Sequence, residues 1–218
     1  MLKALGWAFA AQVALVLLFA IVNPPTNIYM LSERWRLGAI KQDWVALEDM
    51  SPNMPRAAVA AEDADFCLHW GFDLRAIRAV VTSGDERLRG ASTISQQVAK
   101  NVFLWQGRSW LRKAIEAETT LLIELLWTKR RIVEVYVNIA EFDEGVFGAG
   151  AAGPHYFGVN AADLTLVQAA RLAAILPDPK RRSAKRPSDF VRRRAAAIAD
   201  GARTITVDGR DGCFSDGD

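Results

Sequence analysis

Arg89-Gly90-Ala91-Ser92-Thr93-Ile94-Ser95-Gln96-Gln97-Val98-Ala99-Lys100-Asn101 is a Gly-Ala turn that runs into hydroxyl and amide side chains and then into a helical pattern. Ser92 or Thr93 can cap the helix predicted over 93–102, with Lys100 about two turns in. Backbone N–H groups at that helix start, together with the hydroxyls, could hold phosphate or sugar oxygens. A capped amphipathic helix with no ligand reads equally well. The glycine and Lys-Ser/Thr spacing of a Walker phosphate loop is absent.

Working toward the N-terminus, Glu62-Asp63-Ala64-Asp65-Phe66-Cys67-Leu68-His69-Trp70-Gly71 sets three carboxylates beside an Ala-rich helix predicted over 56–65. A carboxylate partly desolvated there would have a raised pKa, which suits proton transfer near neutral pH. Solvated acids at a helix end with a structural His69 are the plainer alternative. Toward the C-terminus, Arg108-Ser109-Trp110-Leu111-Arg112-Lys113-Ala114-Ile115-Glu116-Ala117-Glu118 starts a long helix, capped by Ser109 and predicted to about Lys129. Arg112 and Lys113 stand four and three residues before Glu116. That spacing is either a surface ladder worth a few tenths of a kcal/mol or a phosphate-binding edge of Lys100, Arg108 and Arg112 ordered by Glu116.

The remaining chain reads as helix almost throughout, at 74–82, 131–138, 164–176 and 189–203. The Gly-rich stretch 145–158 reads as a loop with at most a helical turn. Residues 28–50 read as a mixed linker or small helical subdomain, 83–86 as a turn, 204–207 as at most one short strand, and 204–218 as a disordered tail. Of 218 residues 51% are hydrophobic and 24% charged, with Gly 15, Pro 8 and Cys 2, which excludes collagen-like, disordered and disulfide-scaffold classes. A net charge of +2 makes no case for nucleic acid. The basic run Lys180-Arg181-Arg182, Lys185-Arg186, Arg192-Arg193-Arg194 comes with no nucleic-acid motif, so lipid headgroup or substrate-phosphate contact is the better binding reading, with a merely solvated face nearly as good. Seven Trp residues suit surfaces that are apolar on one side and wet on the other.

Residues 4–22 carry no charge and one strongly polar side chain, Gln12. A helix over them would span ~28 Å, the thickness of a bilayer core. The exit Ile21-Val22-Asn23-Pro24-Pro25 lacks the small-x-small pattern of a cleaved signal peptide. We therefore expect an uncleaved anchor over 1–25, flanked by Trp7 and Tyr29, with Lys3 keeping the N-terminus in the cytoplasm. Cys67 and Cys213 could pair outside the cytoplasm or remain free thiols. The two Cys and two His have no metal-site spacing.

Taken in order, Glu-Asp-x-x-Phe-x-x-His-x-Gly, Gly-x-Ser-Thr-Ile-Ser-Gln-Gln-x-x-Lys-Asn, Arg-Lys-x-x-Glu and Arg131-Ile132-Val133-Glu134-Val135-Tyr136-Val137-Asn138 resemble the peptidoglycan glycosyltransferases of family 51. Tyr156-Phe157-Gly158, then Leu164-Thr165-Leu166-Val167-Gln168-Ala169-Ala170 and Leu176-Pro177, resemble that family's last motif. The resemblance covers about 44–198 and leaves no room for a transpeptidase domain, as in the monofunctional members.

The resemblance implies a mainly α, lysozyme-like glycosyltransferase domain over 26–203 with a small membrane-proximal subdomain, preceded by one transmembrane helix. It implies polymerisation of lipid II onto a growing glycan strand with inversion, at the periplasmic face of the inner membrane. Division or elongation proteins are the partners it suggests, and nucleic acid is not. By position, Glu62 matches the general base and Glu116 the second family glutamate. Lys100 and Arg108 match phosphate-contacting cations, and Ser92 and Gln97 polar ligands. No cofactor is required; a divalent cation, Mg or Mn, can assist at the donor pyrophosphate, though no dedicated ligand set stands out.

Three positions depart from the family pattern: Ala91 where many members have Gly, Gly153-Pro154 in a stretch that is usually helix, and a short segment at 82–88. A lytic, lysozyme-like enzyme is the nearest rival, with a glutamate as general acid. A non-catalytic membrane-anchored scaffold is the other.

Overall fold

The computed structural model describes residues 2–82, 92–107 and 109–215. The turn expected at 83–86, most of the segment 82–88, Ala91 and Arg108 lie outside them. The described residues are mainly helical, in the order α1 Leu2–Phe19, α2 Ile28–Leu37, α3 Asn53–Glu62, α4 Leu74–Thr82, α5 Ile94–Phe103, α6 Trp110–Leu126, α7 Lys129–Ile139, α8 Gly148–Phe157, α9 Leu166–Ile175 and α10 Asp189–Val207. Polar side chains fix many of the starts. Thr93, Ser109, Thr128, Thr165 and Ser188 each accept from a backbone N–H in the first turn of their helix. Thr128 is why the long helix expected to about Lys129 stops at Leu126: it caps α7 instead.

Helices α3, α9 and α10 pack against one another through small side chains. Ala57, Ala58 and Val59 of α3 and Ala169, Ala170, Ala173 and Ala174 of α9 are fully buried. Residues this small let helix axes approach closely. A second layer, α5 with α6 and α7, packs beside it.

The sequence offered no convincing strand, yet three very short ones form a sheet: β1 Lys41–Gln42, β2 Glu141–Asp143 and β3 Val146–Phe147. β3 lies between the others, parallel to β1 and antiparallel to β2. Strands of two or three residues carry too little periodicity to be read from sequence.

The expected loop at 145–158 is instead β3 and the ten-residue α8. Its glycines serve close approach. A Cβ on Gly150 would lie 2.4 Å from the Asp43 carbonyl oxygen, and one on Gly153 2.7 Å from that of Val159. Pro154 removes only its own N–H from the ladder, and α8 continues past it to Phe157, ending at left-handed Gly158.

The tail reading also needs correction. Residues 204–207 are helical, not strand, and 208–215 form ordered turns rather than a disordered end. Asp211 and Phe214 are buried, and Cys213 is disulfide-bonded to Cys67. Of the two readings left open for these cysteines, pairing and free thiols, the structure has the pair, across 146 residues of sequence.

Among the described residues no helix is long and apolar enough to cross a membrane. Helix α1 packs on α6. Its Gln12 amide donates to Glu118 at 2.7 Å and to Thr119 at 2.8 Å, and Trp127 Nε1 donates to the Val16 carbonyl at 2.8 Å. Arg131 donates to the carbonyls of Phe19 and Val22 and to Asn23. Five of the seven Trp, at 7, 35, 70, 105 and 110, are exposed. Tyr29 is not a free ring at the end of α1: its hydroxyl donates to Glu141 at 2.6 Å.

Candidate active site

Glu62 is the last residue of α3, placed at the rim of a cleft of about 1220 Å³. Its side chain is 15% exposed. Gln97 Nε2 donates to Oε2 at 3.1 Å, and Arg194 approaches Oε1 at 3.6 Å. Burial pushes the carboxyl above its usual value and the Asp63 charge adds to this; the Gln97 bond, Arg194 and Lys100 oppose it. The result is a carboxylate more basic than a solvated one, held by a single hydrogen bond, with room beside it.

The other residues of the same stretch build the support. Asp63 accepts from Ile94 N at 2.9 Å and pairs with His69 Nε2 at 2.8 Å, so it fastens the start of α5 to the end of α3. Phe66 is fully buried, with the Lys129 ammonium 4.3 Å above its ring. Gly71 has φ +78, and a Cβ there would sit 2.7 Å from Thr120 Cγ2. His69 is therefore a structural residue of the turn.

At the start of α5 the expected open N–H groups are already occupied. Ile94 N goes to Asp63, Thr93 N to the Gln96 amide oxygen and Gln96 N to Thr93 Oγ1, a reciprocal capping box. Ser95 donates to Glu124 within the buried interior. Anion binding here falls to side chains, and exposed Ser92 and half-buried Gln97 are the polar groups of this segment that reach the cleft together with Gln96.

Lys100, Arg112, Lys113 and Glu116 line the same cleft. Glu116 is 3% exposed and accepts from Arg112 at 2.8 Å and Lys113 at 2.5 Å. Burial rules out the surface ladder. One carboxylate divided between two cations leaves net positive charge facing the cleft. Lys100 makes no ion pair or hydrogen bond among the described residues. Burial lowers its pKa, Glu116 and Glu62 raise it, and Arg112 and Lys113 lower it. An unpaired, partly desolvated ammonium is poised for an incoming anion.

A third wall comes from the α9–α10 connection and α10: Pro177, Asp178, Arg181, Arg182 and Arg194. The sequence singled out this basic run without placing it at the cleft. The Nε atoms of Arg112 and Arg194 are buried and have no partner. The cleft thus gathers Glu62, Ser92, Gln97, Lys100, Arg112 and Glu116 of the expected set, while Arg108 lies outside the described residues. Among the described residues no three His, Cys, Asp or Glu side chains cluster as a metal site.

Comparison with known proteins gives a consistent picture. A family model described as Transglycosylase matches residues 30–203. A biosynthetic peptidoglycan transglycosylase of Jannaschia sp. (strain CCS1) is 56% identical over 206 residues, covering 94% of this chain and 85% of that protein. Proteins of the same name from Pseudomonas syringae pv. syringae (strain B728a) and Xanthomonas campestris pv. campestris (strain B100) are 48% and 49% identical, covering 94% and 90% of this chain and 91% and 83% of theirs.

Proposed function

Because the chain belongs to the transglycosylase family and is a peptidoglycan glycosyltransferase, we propose that it polymerises lipid II by an inverting displacement with Glu62 as general base. The 4-hydroxyl of the incoming lipid II sugar gives its proton to Glu62 as its oxygen attacks the anomeric carbon of the growing strand. The bond from that carbon to the pyrophosphate oxygen breaks, a β-1,4 bond forms, and polyprenyl pyrophosphate leaves. Lys100, Arg112 and Lys113 stabilise the charge that develops on the leaving group, and Glu116 orders the last two. Ser92 and Gln97 supply polar contacts to substrate.

The observation that carries this reading is one cleft holding both a partly desolvated carboxylate, Glu62, and an ammonium without an ion-pair partner among the described residues, Lys100. A lysozyme-like hydrolase has a neutral sugar as its leaving group and no use for such a cation wall. Glu116 is engaged by Arg112 and Lys113, so a magnesium or manganese ion at the donor would be carried by the pyrophosphate's own oxygens; no step here runs through it.

We place the cleft outside the cytoplasm, at the inner membrane. The Cys67–Cys213 disulfide suits an oxidising compartment. Helix α1 exposes Trp7, Phe9, Leu15, Leu17 and Leu18, which suits attachment to a bilayer where both polyprenyl substrates reside. Division or elongation proteins would be met there.

The test feeds purified protein labelled lipid II and resolves products by size. A ladder of glycan that a muramidase digests, and that Glu62→Gln does not make, is expected. Intact lipid II with shortening of preformed strands would replace this reading with the lytic one.

A further inference from the structure

The family match ends at residue 203, yet the chain beyond it grips both sides of Glu62. On the N-terminal side, Arg56 of α3 lies six residues before Glu62 and donates through Nε to Asp211 at 2.7 Å. Asp211 is buried and also accepts from Thr206 at 3.2 Å. On the C-terminal side, Arg210 donates to Asp65 at 3.0 Å and to the Ala64 carbonyl at 3.3 Å. Cys213 is bonded to Cys67, and Phe214 packs beside Phe66 at 6.4 Å between ring centroids. These contacts bracket one residue whose chemistry depends on where it sits.

We propose that residues 208–215 are a brace that positions Glu62, closed by the Cys67–Cys213 bond, so that Cys67, Cys213 and Arg210 act on catalysis through Glu62 without touching substrate. The proposal rests on the glycosyltransferase reading of the cleft. Its physical content is a second anchor for the turn 63–69. Asp63 ties that turn inward to α5, and the tail ties it outward. With only the inner tie, the end of α3 can fray toward solvent and the acceptor hydroxyl loses its fixed partner. A shift of about 1 Å in a catalytic group can cost on the order of 100-fold in rate. The charged and titratable groups facing Glu62 are Asp63 on its own helix boundary, Lys100 on α5, Tyr136 on α7 and Arg194 on α10. None belongs to the brace, so opening it changes the solvation of Glu62 and leaves these partners in place.

The experiment compares full-length oxidised protein, the same protein reduced under native conditions and reoxidised, and the Cys67→Ala/Cys213→Ala double variant. The readout is lipid II polymerisation across pH. We expect kcat to fall about tenfold on reduction with KM little changed. The acid limb of the pH profile should move to lower pH as Glu62 becomes more solvated, and reoxidation should restore both. Circular dichroism separates this from unfolding; if the double variant does not fold, the reversibly reduced wild type decides. Equal kcat and an unmoved acid limb, with two thiols titrated, would overturn the brace. Two free thiols in protein recovered from an oxidising compartment would also overturn it. Oxidised wild type that makes no glycan would overturn the function reading instead.

Discussion

Gln97 donates its amide to Glu62 at 3.1 Å while the oxygen of the same amide accepts from the Tyr136 hydroxyl at 3.4 Å. The orientation in which the amide oxygen accepts from the buried tyrosine is the one that turns its N–H2 toward the carboxylate. The amide's donor end then favours the ionised form of Glu62, against the burial that disfavours it.

Replacing Gln97 by Leu should therefore raise the pKa of Glu62 further. A base must be deprotonated to act, so activity is lost on acidification, and the acid limb of kcat/KM should move to higher pH. A limb that stays in place would mean that Gln97 does not tune Glu62.

Lys100→Ala should lower kcat/KM by about 100-fold, the usual scale for removing one preorganised charge partner of a leaving group. The ammonium's pKa lies below its ordinary value, so wild-type activity should fall as pH rises through it, earlier than for a solvated lysine. The variant should lack that alkaline limb. Measuring kcat/KM of both proteins between pH 6 and about 10 checks both statements.

Gly150→Ala should destabilise the fold by ~2 kcal/mol or more, because the added methyl meets the Asp43 backbone oxygen, which cannot rotate away. Thermal denaturation should show a lower Tm. A Tm equal to wild type would mean that the α8 contact with 43–45 is looser than described.

Gln12→Leu keeps α1 apolar but removes the donor to Glu118 and Thr119. Glu118 Oε1 is already buried without a partner, so the loss leaves both carboxylate oxygens unsatisfied. The expected cost is ~1–3 kcal/mol, read as a lower Tm of the full-length protein. Membrane fractionation should be unchanged, since no apolar group is lost.

Much of the site was legible in the sequence because its residues are local to a few helices. Arg112, Lys113 and Glu116 meet through spacings of three and four that any helix would bring together. Thr93 and Ser109 cap where hydroxyls before an apolar run usually do. Glu62 at the end of an Ala-rich helix implied the partial desolvation that the structure shows. What local order could not convey is pairing between distant segments. The bond that ties the start of α5 to Asp63 spans 31 residues. The arginines at 181, 182 and 194 reach the cleft only because α10 folds back on α3 and α9.

The sequence by itself determined the helical class and the order of the motifs, because helix periodicity and capping act over a few residues. Tertiary structure alone decided that the glycines of 145–158 are packing contacts, that Gln12 faces α6, and that the tail closes on Cys67. Each of these depends on a surface that exists only once remote segments have been brought together, and the chain's local pattern carries no record of its partner.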